Sequence, residues 1–449
     1  MSTPLSLVAR LNRGVRRGNA RLEFLGTVPF GGTLRVLRFK LGNGLRIAIL
    51  VDPAAPVVSY PTWFRVGSRY EEQGKTGLAH FFEHMMFNES ANLPAGEFDR
   101  KMEEAGGETN AATWIDWTYY YESLPKEELR LAIELESERM HNLVVRETQV
   151  ESEREVVANE RRMSVDDDVY GKANELVWEL AFGREHPHGW PTIGWMQDIA
   201  GYRVRDCAAF YKTWYAPNNA TVAIAGDVDV EHALSLVQEH YGPLKPSKLR
   251  PLDPPPAIKQ RKERRAQIAW PTPTPKEVIA WHVPPYLERD HAVAVVIDDL
   301  LTGGRSGRLR RLLVQELELV TDVSTSVAGL AHGGLFELWV SMREGIPLEK
   351  ALRVVEKELL RLQKTRPSRA ELDKIVNRTE LQFLSHVETA AGKAYQIGFG
   401  ETVAGDPAHA FHRVEQMRSV TPDDVCRVAR ELFRPERSTR VRVVPKEAA

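Results

Sequence analysis

The sequence predicts an α+β protein of two homologous domains, each a largely antiparallel sheet with helices packed on one face. Three observations lead there. At 449 residues the chain exceeds the size at which a single hydrophobic core keeps growing, and a proline-rich, charged stretch divides it into portions of similar size. Amphipathic segments of the first portion recur in the second at an offset of about 220 residues, as a duplicated domain requires. Strands and helices also follow one another without a strict βαβ rhythm, which favours helices segregated to one side of a sheet.

In chain order, residues 1–30 read as a basic leader. Arg10, Arg13, Arg16, Arg17 and Arg21 precede the first acid, Glu23, and no signal-peptide apolar region is present. The expectation is a leader retained on a soluble cytoplasmic protein, with an organellar presequence as the less favoured alternative. Residues 31–243 form the first α+β domain. It contains the strand "LRIAILV", the amphipathic helix "LPKEELRLAIELESERM" followed by "RETQVESEREVVANERR", and a closing "FYKTWYAPNNATVAIAGDV" that passes through a proline into a strand. Residues 244–265, rich in proline and ending in "KQRKERR", read as an interdomain linker and a solvated tether. Residues 266–449 repeat the plan. "EVIAWHV" reads as the counterpart of "LRIAILV", "IPLEKALRVVEKELLRL" and "RPSRAELDKIVNRTELQ" as the two helices, and "ELFRPERSTRVRVVP" as the closing segment.

Composition narrows the function by exclusion. With 43% hydrophobic and 27% charged residues and a formal net charge of -2, the chain has no field that selects nucleic acid or an anionic membrane. No apolar run approaches the ~20 residues of a membrane span. Cys207 and Cys426 are too few for a disulfide framework and stand in no metal-type spacing, so both are expected to be buried small apolar residues.

The chemistry concentrates in "GKTGLAHFFEHMMF" (Gly74 to Phe87). A helix so apolar should be buried, yet it carries His80, Glu83 and His84. Histidines four apart project from one helix face, with Glu83 beside them. Both imidazoles can bind one tetrahedral zinc, which offsets their desolvation, and Glu83 is then placed to take a proton from a water activated there. A single histidine in such a helix is more often a core residue bonded to a carbonyl, but the complete H-x-x-E-H is the zincin motif reversed in chain direction. A catalytic site needs a third protein ligand. The candidates lie in "ESEREVVANERR", where Glu153 and Glu160 share a helical stripe with Val150 and Val157. Glu151 and Glu155 read as solvated charges.

Over about residues 34–444 the sequence resembles the inverted-zincin peptidases of the pitrilysin family, within them the half-size, processing-peptidase-like branch. "VGSRYEEQGKTGLAHFFEHMMF" and "GGETNAATWIDWTYYYESLP" carry the resemblance most specifically, with "HPHGWPTIGWMQDI" and "YAPNNATVAIAGDV" in support. It implies a zinc metalloendopeptidase. Glu160 takes the role of third zinc ligand, since the family's glutamate stands at that spacing from the second motif histidine, and Glu153 takes that of a residue orienting a ligand. His186 and His188 read as loop structure. In this family a substrate peptide adds as a strand to an open sheet edge, and Asn110 and Ala111 of "TNAAT" match the edge positions. Ala111 and Ala112 are small enough for close backbone approach. Trp114, Trp117 and the tyrosines that follow read as core aromatics facing inward.

One departure bears on partners. Family members active as a single chain carry an arginine and a tyrosine in the second domain, where this chain has "LLTGGRSGRLRRLLVQELELVTDVSTS", with Val314 or Gln315 near the arginine position and Asp322 near the tyrosine. The resemblance therefore implies the metal-bearing subunit of a hetero-dimer whose related partner supplies Arg and Tyr, a homodimer being the other arrangement. The rival functions are a noncatalytic assembly or scaffold subunit of the same fold, and a peptide-binding module with a structural metal. A full ligand set with an open fourth position favours catalysis over both.

Overall fold

The computed structural model describes residues 3–249 and 252–446. Residues 1–2 of the expected leader, 250–251 of the expected linker and the last three residues lie outside the described residues. Twelve strands are present among those described: β1 (Leu22–Pro29), β2 (Arg35–Leu41), β3 (Arg46–Val51), β4 (Val57–Phe64), β5 (Glu108–Thr113), β6 (Thr118–Pro125), β7 (Ala220–Gly226), β8 (Arg264–Trp270), β9 (Lys276–Val283), β10 (Val320–Val327), β11 (Gly334–Met342) and β12 (Thr439–Pro445). The helices needed below are α1 (Leu78–Met85), α2 (Leu129–Asn142), α3 (Glu147–Arg161), α4 (Val169–Phe182), α5 (Arg289–Thr302), α6 (Leu348–Lys364), α7 (Ala390–Phe399) and α8 (Pro422–Leu432).

The strands form two sheets, ordered β1-β2-β3-β7-β4-β6-β5 and β10-β11-β9-β12-β8. All pairs are antiparallel except β3 with β7 and β12 with β8, so the expected α+β architecture with largely antiparallel sheets is what the chain adopts. The duplication is written in the topology. The order β3-β7-β4-β6-β5 of the first sheet is repeated as β8-β12-β9-β11-β10 in the second. This corrects one pairing read from sequence: "EVIAWHV" is β9, which runs antiparallel to its closing strand as β4 does, whereas "LRIAILV" is β3, whose counterpart is β8. Apolar strands resemble one another in composition, and only their neighbours tell them apart.

The expected leader is partly structured. Residues 4–11 form a helix with Leu7 buried, Arg10 pairs with Glu231, and residues 22–29 form β1, the edge strand of the first sheet. The alternation in "LEFLGTVP" suits a half-buried edge.

The chain divides into two compact units that do not follow the sequential split at 244–265. One comprises Met1–Ala158, Thr192–Leu252 and Phe383–His412, and the other Asn159–Pro191, Asp253–Gln382 and Arg413–Ala449. Each sheet thus takes one helix encoded in the opposite half of the sequence. In the first unit α2 lies over the sheet face carrying Ile47 and Ile49, while α7 packs through Ala394 and Ile397 on the alternate residues Ala48 and Leu50. Gly398 permits this approach, because a Cβ there would meet the indole Nε1 of Trp63 at 2.1 Å. In the second unit α5, α6 and α8 cover the face bearing Ile279, Trp281 and Leu338, and α4 lies against β12, β9 and β8. Trp178 of α4 donates its indole N–H to the buried Glu337 at 2.6 Å. Helices α4 and α7 begin roughly 220 residues apart, the offset of the repeat itself. Among the described residues no helix is long and apolar enough to cross a membrane.

Candidate metal centre and catalytic site

Helix α1 is anchored before it is functional. Its apolar residues Leu78, Phe81, Phe82 and Met85 are buried in the first unit's core. Gly77, at φ 92°, sits at its N-terminus and offers no side-chain cap. Glu71 supplies one from six residues upstream: its two carboxylate oxygens accept the backbone N–H groups of Gly77 at 2.7 Å and Ala79 at 2.8 Å. A carboxylate there also meets the positive end of the helix. Burial nevertheless holds the Glu71 carboxyl well above the usual range, with the two amide donors pulling the other way. Thr76 is clamped in turn, donating its N–H and hydroxyl to Asp198, while Tyr202 donates to its carbonyl at 2.6 Å. On the sheet side Tyr120 donates to the carbonyl of Phe82 at 3.0 Å.

So fixed, α1 presents His80, Glu83 and His84 on its remaining face. All three are half-buried, and Glu83 and His84 face a cavity of about 340 Å³ lined also by Phe87, Asn88, Asn110 and Glu153. Helix α3 supplies the acids. Val150 and Val157 are fully buried, which turns the stripe of Glu153 and Glu160 inward, whereas Glu151 and Glu155 are exposed. One ligand atom each from His80, His84 and Glu160 lies within 4.8 Å of the others. Glu153 stands behind His84: the His84 Nδ1–H donates to Glu153 Oε1 at 3.1 Å, and Asn88 Nδ2 donates to Oε2 at 3.1 Å. With the proton on Nδ1 held by the Glu153 carboxylate, Nε2 of His84 is the nitrogen that would bind a metal. Two imidazole nitrogens and one carboxylate oxygen so gathered are the donor types that a zinc ion takes. The residues present fit the ion.

Of the other residues read from sequence, Asn110 and Ala111 lie on β5, which is the open edge of the first sheet. Asn110 reaches the cavity wall, while its Oδ1 accepts the Ala111 N–H at 2.8 Å. His186 and His188 take no part in the metal cluster; His186 Nε2 donates to the carbonyl of Pro256, and its Nδ1 accepts the backbone N–H of His188. Cys207 and Cys426 are both buried and free. The aromatic reading needs correction. Tyr120 is fully buried, but Tyr119 and Tyr121 are half-buried because strand alternation turns only every second residue of β6 toward α1, and in the turn before β6 Trp117 is half-buried and Trp114 is 39% exposed. Glu71, Asn88 and Asp198 gave no sequence signal. Each acts on backbone or on another acid, and nothing in residue type or spacing marks such a role.

Residues 46–185 match the family model described as insulinase (peptidase family M16), and residues 204–379 match the model described as the peptidase M16 inactive domain. Zinc protease PqqE of Helicobacter pylori is 29% identical over 416 residues, covering 90% of this chain and 92% of that protein. An uncharacterized zinc protease of Streptomyces coelicolor is 26% identical over 408 residues, covering 90% and 88%. Among solved structures, a protease from Helicobacter pylori matches with a TM-score of 0.85 at 28% identity, covering 94% of this chain and 99% of that one. A peptidase M16 inactive domain from Pseudomonas fluorescens matches with a TM-score of 0.82 at 16% identity over 92% and 98%, a likeness of fold alone.

Proposed function

This chain belongs to peptidase family M16, and from that premise we propose that it is a zinc-dependent endopeptidase acting on peptides and extended protein segments. The observation that carries this is the convergence of His80, His84 and Glu160, with Glu83 and His84 lining a cavity that Asn110 of the edge strand β5 also lines. His80, His84 and Glu160 would hold the ion, and Glu153 and Asn88 keep the His84 ring in its binding orientation. Zinc, when bound, supplies Lewis acidity at this position. Glu83 is the general base: its carboxylate takes a proton from the attacking water and delivers it to the leaving amide nitrogen. The outer-edge backbone groups of β5 bind the substrate as an added strand, with Asn110 and Ala111 at the contact, so recognition depends first on main chain.

A related partner subunit supplying an arginine and a tyrosine belongs to the same proposal. Here Asp322 pairs with Arg310 at 3.0 Å, Gln315 donates to the carbonyl of Arg305, and Val314 packs on the second unit's core, so none of the three stands in for such a pair. The same departure favours the second reading, a noncatalytic assembly subunit of this fold. One experiment separates them. Zinc content and peptide hydrolysis are measured for the chain with its co-purifying partner and for Glu83→Gln. The peptidase reading expects one zinc per chain in both, and hydrolysis lost by at least ~10²-fold in the variant. Zinc without any Glu83-dependent hydrolysis would leave the assembly role.

A further inference from the structure

We propose that a cavity between the end of the linker and the end of α8 binds a small phosphate-bearing anion, held by Lys259, Arg261 and Arg437. All of its residues belong to the second unit, and the site stands whether or not the chain is a peptidase. The stretch "KQRKERR" (Lys259 to Arg265), expected to be a solvated tether, is instead held in place residue by residue. Gln260 is buried: its Nε2 donates to the carbonyl of Ser438 at 2.7 Å, and its Oε1 accepts the Thr439 hydroxyl at 3.3 Å. Arg264 donates to the carbonyls of Leu180 and Ala181 near the end of α4, and Arg265 pairs with Glu263 at 2.6 Å. With Gln260 turned inward, its neighbours Lys259 and Arg261 are exposed, and both line a cavity of about 310 Å³ together with Arg437, His282, Glu431 and Leu432.

The three cations on this wall have no carboxylate to answer them. Nearby arginines do: Arg440 pairs with Glu263, Glu277 and Glu356, and Arg442 with Glu277 and Glu349. Among the described residues no acid pairs with Lys259, Arg261 or Arg437, and Glu431, the one acid on the wall, stands 3.9 Å from Arg427 instead. Nor are the cations needed to cap α8, which ends at Leu432. The carbonyls of Ala429, Arg430 and Leu432 already accept from Phe433 N–H, Arg434 Nε–H and Arg434 N–H. His282 completes the wall without adding charge. Its Nε2–H donates to the carbonyl of Ala181 at 3.1 Å, and burial lowers its pKa to about 4. Like charges gathered on one concave wall repel one another, and an anion entering there removes that repulsion while it accepts hydrogen bonds from all three. A phosphoryl group suits the wall better than a single carboxylate, because it offers three strong acceptor oxygens and nearly two charges. The volume lies at the small end for ligand sites, which favours pyrophosphate or a compact phosphate ester.

The test titrates pyrophosphate calorimetrically into the full chain, as purified and again after treatment with a chelator, at ~50 mM NaCl, where exposed charges still act. One site per chain is expected, with a dissociation constant of about 0.5 mM or tighter in both preparations, which is what three charge-assisted hydrogen bonds give at the low end of their usual worth. Arg261→Gln and Arg437→Gln should each weaken binding about tenfold or more. Lys262→Gln makes the same change of charge on a neighbour that does not line the cavity, and should stay within about twofold of the parent. Glu431→Gln removes the opposing charge and should tighten binding about two- to fivefold. Absence of saturable binding, no loss in the two arginine variants, or an equal loss in Lys262→Gln overturns the site. Binding that vanishes on chelation is binding to a metal ion and overturns it too. So does a single-stranded oligonucleotide that binds more tightly than pyrophosphate and weakens alike in Arg261→Gln, Lys262→Gln and Arg437→Gln, the behaviour of a basic surface rather than a cavity.

Discussion

Replacing Glu153 should weaken zinc binding without unfolding the protein. Its side chain is 12% exposed and accepts two hydrogen bonds, from His84 Nδ1 at 3.1 Å and from Asn88 Nδ2 at 3.1 Å. A hydrogen bond to a charged group contributes about 1.5–3 kcal/mol, and 1.4 kcal/mol is tenfold in affinity, so Glu153→Ala should raise the zinc dissociation constant about 10–100-fold. Glu153→Gln keeps an acceptor but not the charge and should fall near the lower figure. Asn88→Ala, one bond farther from the ligand, should cost less than either. Zinc affinity is read by competition with a chromophoric chelator, and urea unfolding of the metal-free protein runs in parallel. Wild-type affinity in Glu153→Ala would refute the orienting role. So would an affinity loss matched by an equal loss of metal-free stability, because Glu153 would then hold the fold rather than the ligand.

Two further outcomes follow from the buried acids. Glu71→Gln leaves one of the Gly77 and Ala79 N–H groups facing an amide NH₂, and should cost about 1–3 kcal/mol in urea unfolding of the metal-free protein, an effect absent if water replaces the acceptor. Burial raises the Asp298 carboxyl from 3.8 to about 6, against the hydroxyl bond from Thr325 and the charge of Arg378. The folded state thus keeps a proton that the unfolded chain has released, so stability is full below pH ~4 and declines through pH ~6, by up to ~3 kcal/mol. Asp298→Asn should flatten that part of the pH–stability curve, and an unchanged slope would show that other groups set it.

What the sequence disclosed depended on how local each signal was. His80, Glu83 and His84 were legible because four-residue spacing on one helix already fixes their common face. Glu160 was legible as an inward-facing acid from the Val150 and Val157 stripe, but its choice over Glu153 needed the family spacing. The helix swap was not legible. Amphipathicity shows that α4 and α7 each bury a face, yet it carries no information about which sheet receives it. The clamp on α1 was hidden for a related reason, since Asp198 reaches Thr76 across 122 residues and Glu71 acts through backbone amides. The aromatic run "WTYYY" misled because composition suggested one buried block, whereas pleating splits it between two faces.

The duplicated topology also bears on why the proposed peptidase should have one candidate site rather than two. The two sheets end in equivalent edges, β5 and β10, each next to a strand that pairs inward along the same order. The first edge carries Ala111 and Ala112 and lies beside α1 with its metal-ligand set. The second is blunted: Asp322 pairs with Arg310, Thr325 bonds to Asp298 and Thr302, and charged or hydrogen-bonded edge residues discourage an incoming strand. The helix that follows β9, as α1 follows β4, is α5, and its histidine is committed to structure. His291 Nε2 donates to the carbonyl of Ala328 at 3.1 Å, and burial together with nearby Arg413 lowers its pKa to about 4, which keeps the ring neutral. Among the described residues the only cluster able to hold a metal is His80, His84 and Glu160. Duplication preserved the sheet order in both units, while among the described residues His80, Glu83 and His84 stand on a helix packed beside only one of the two edges, β5.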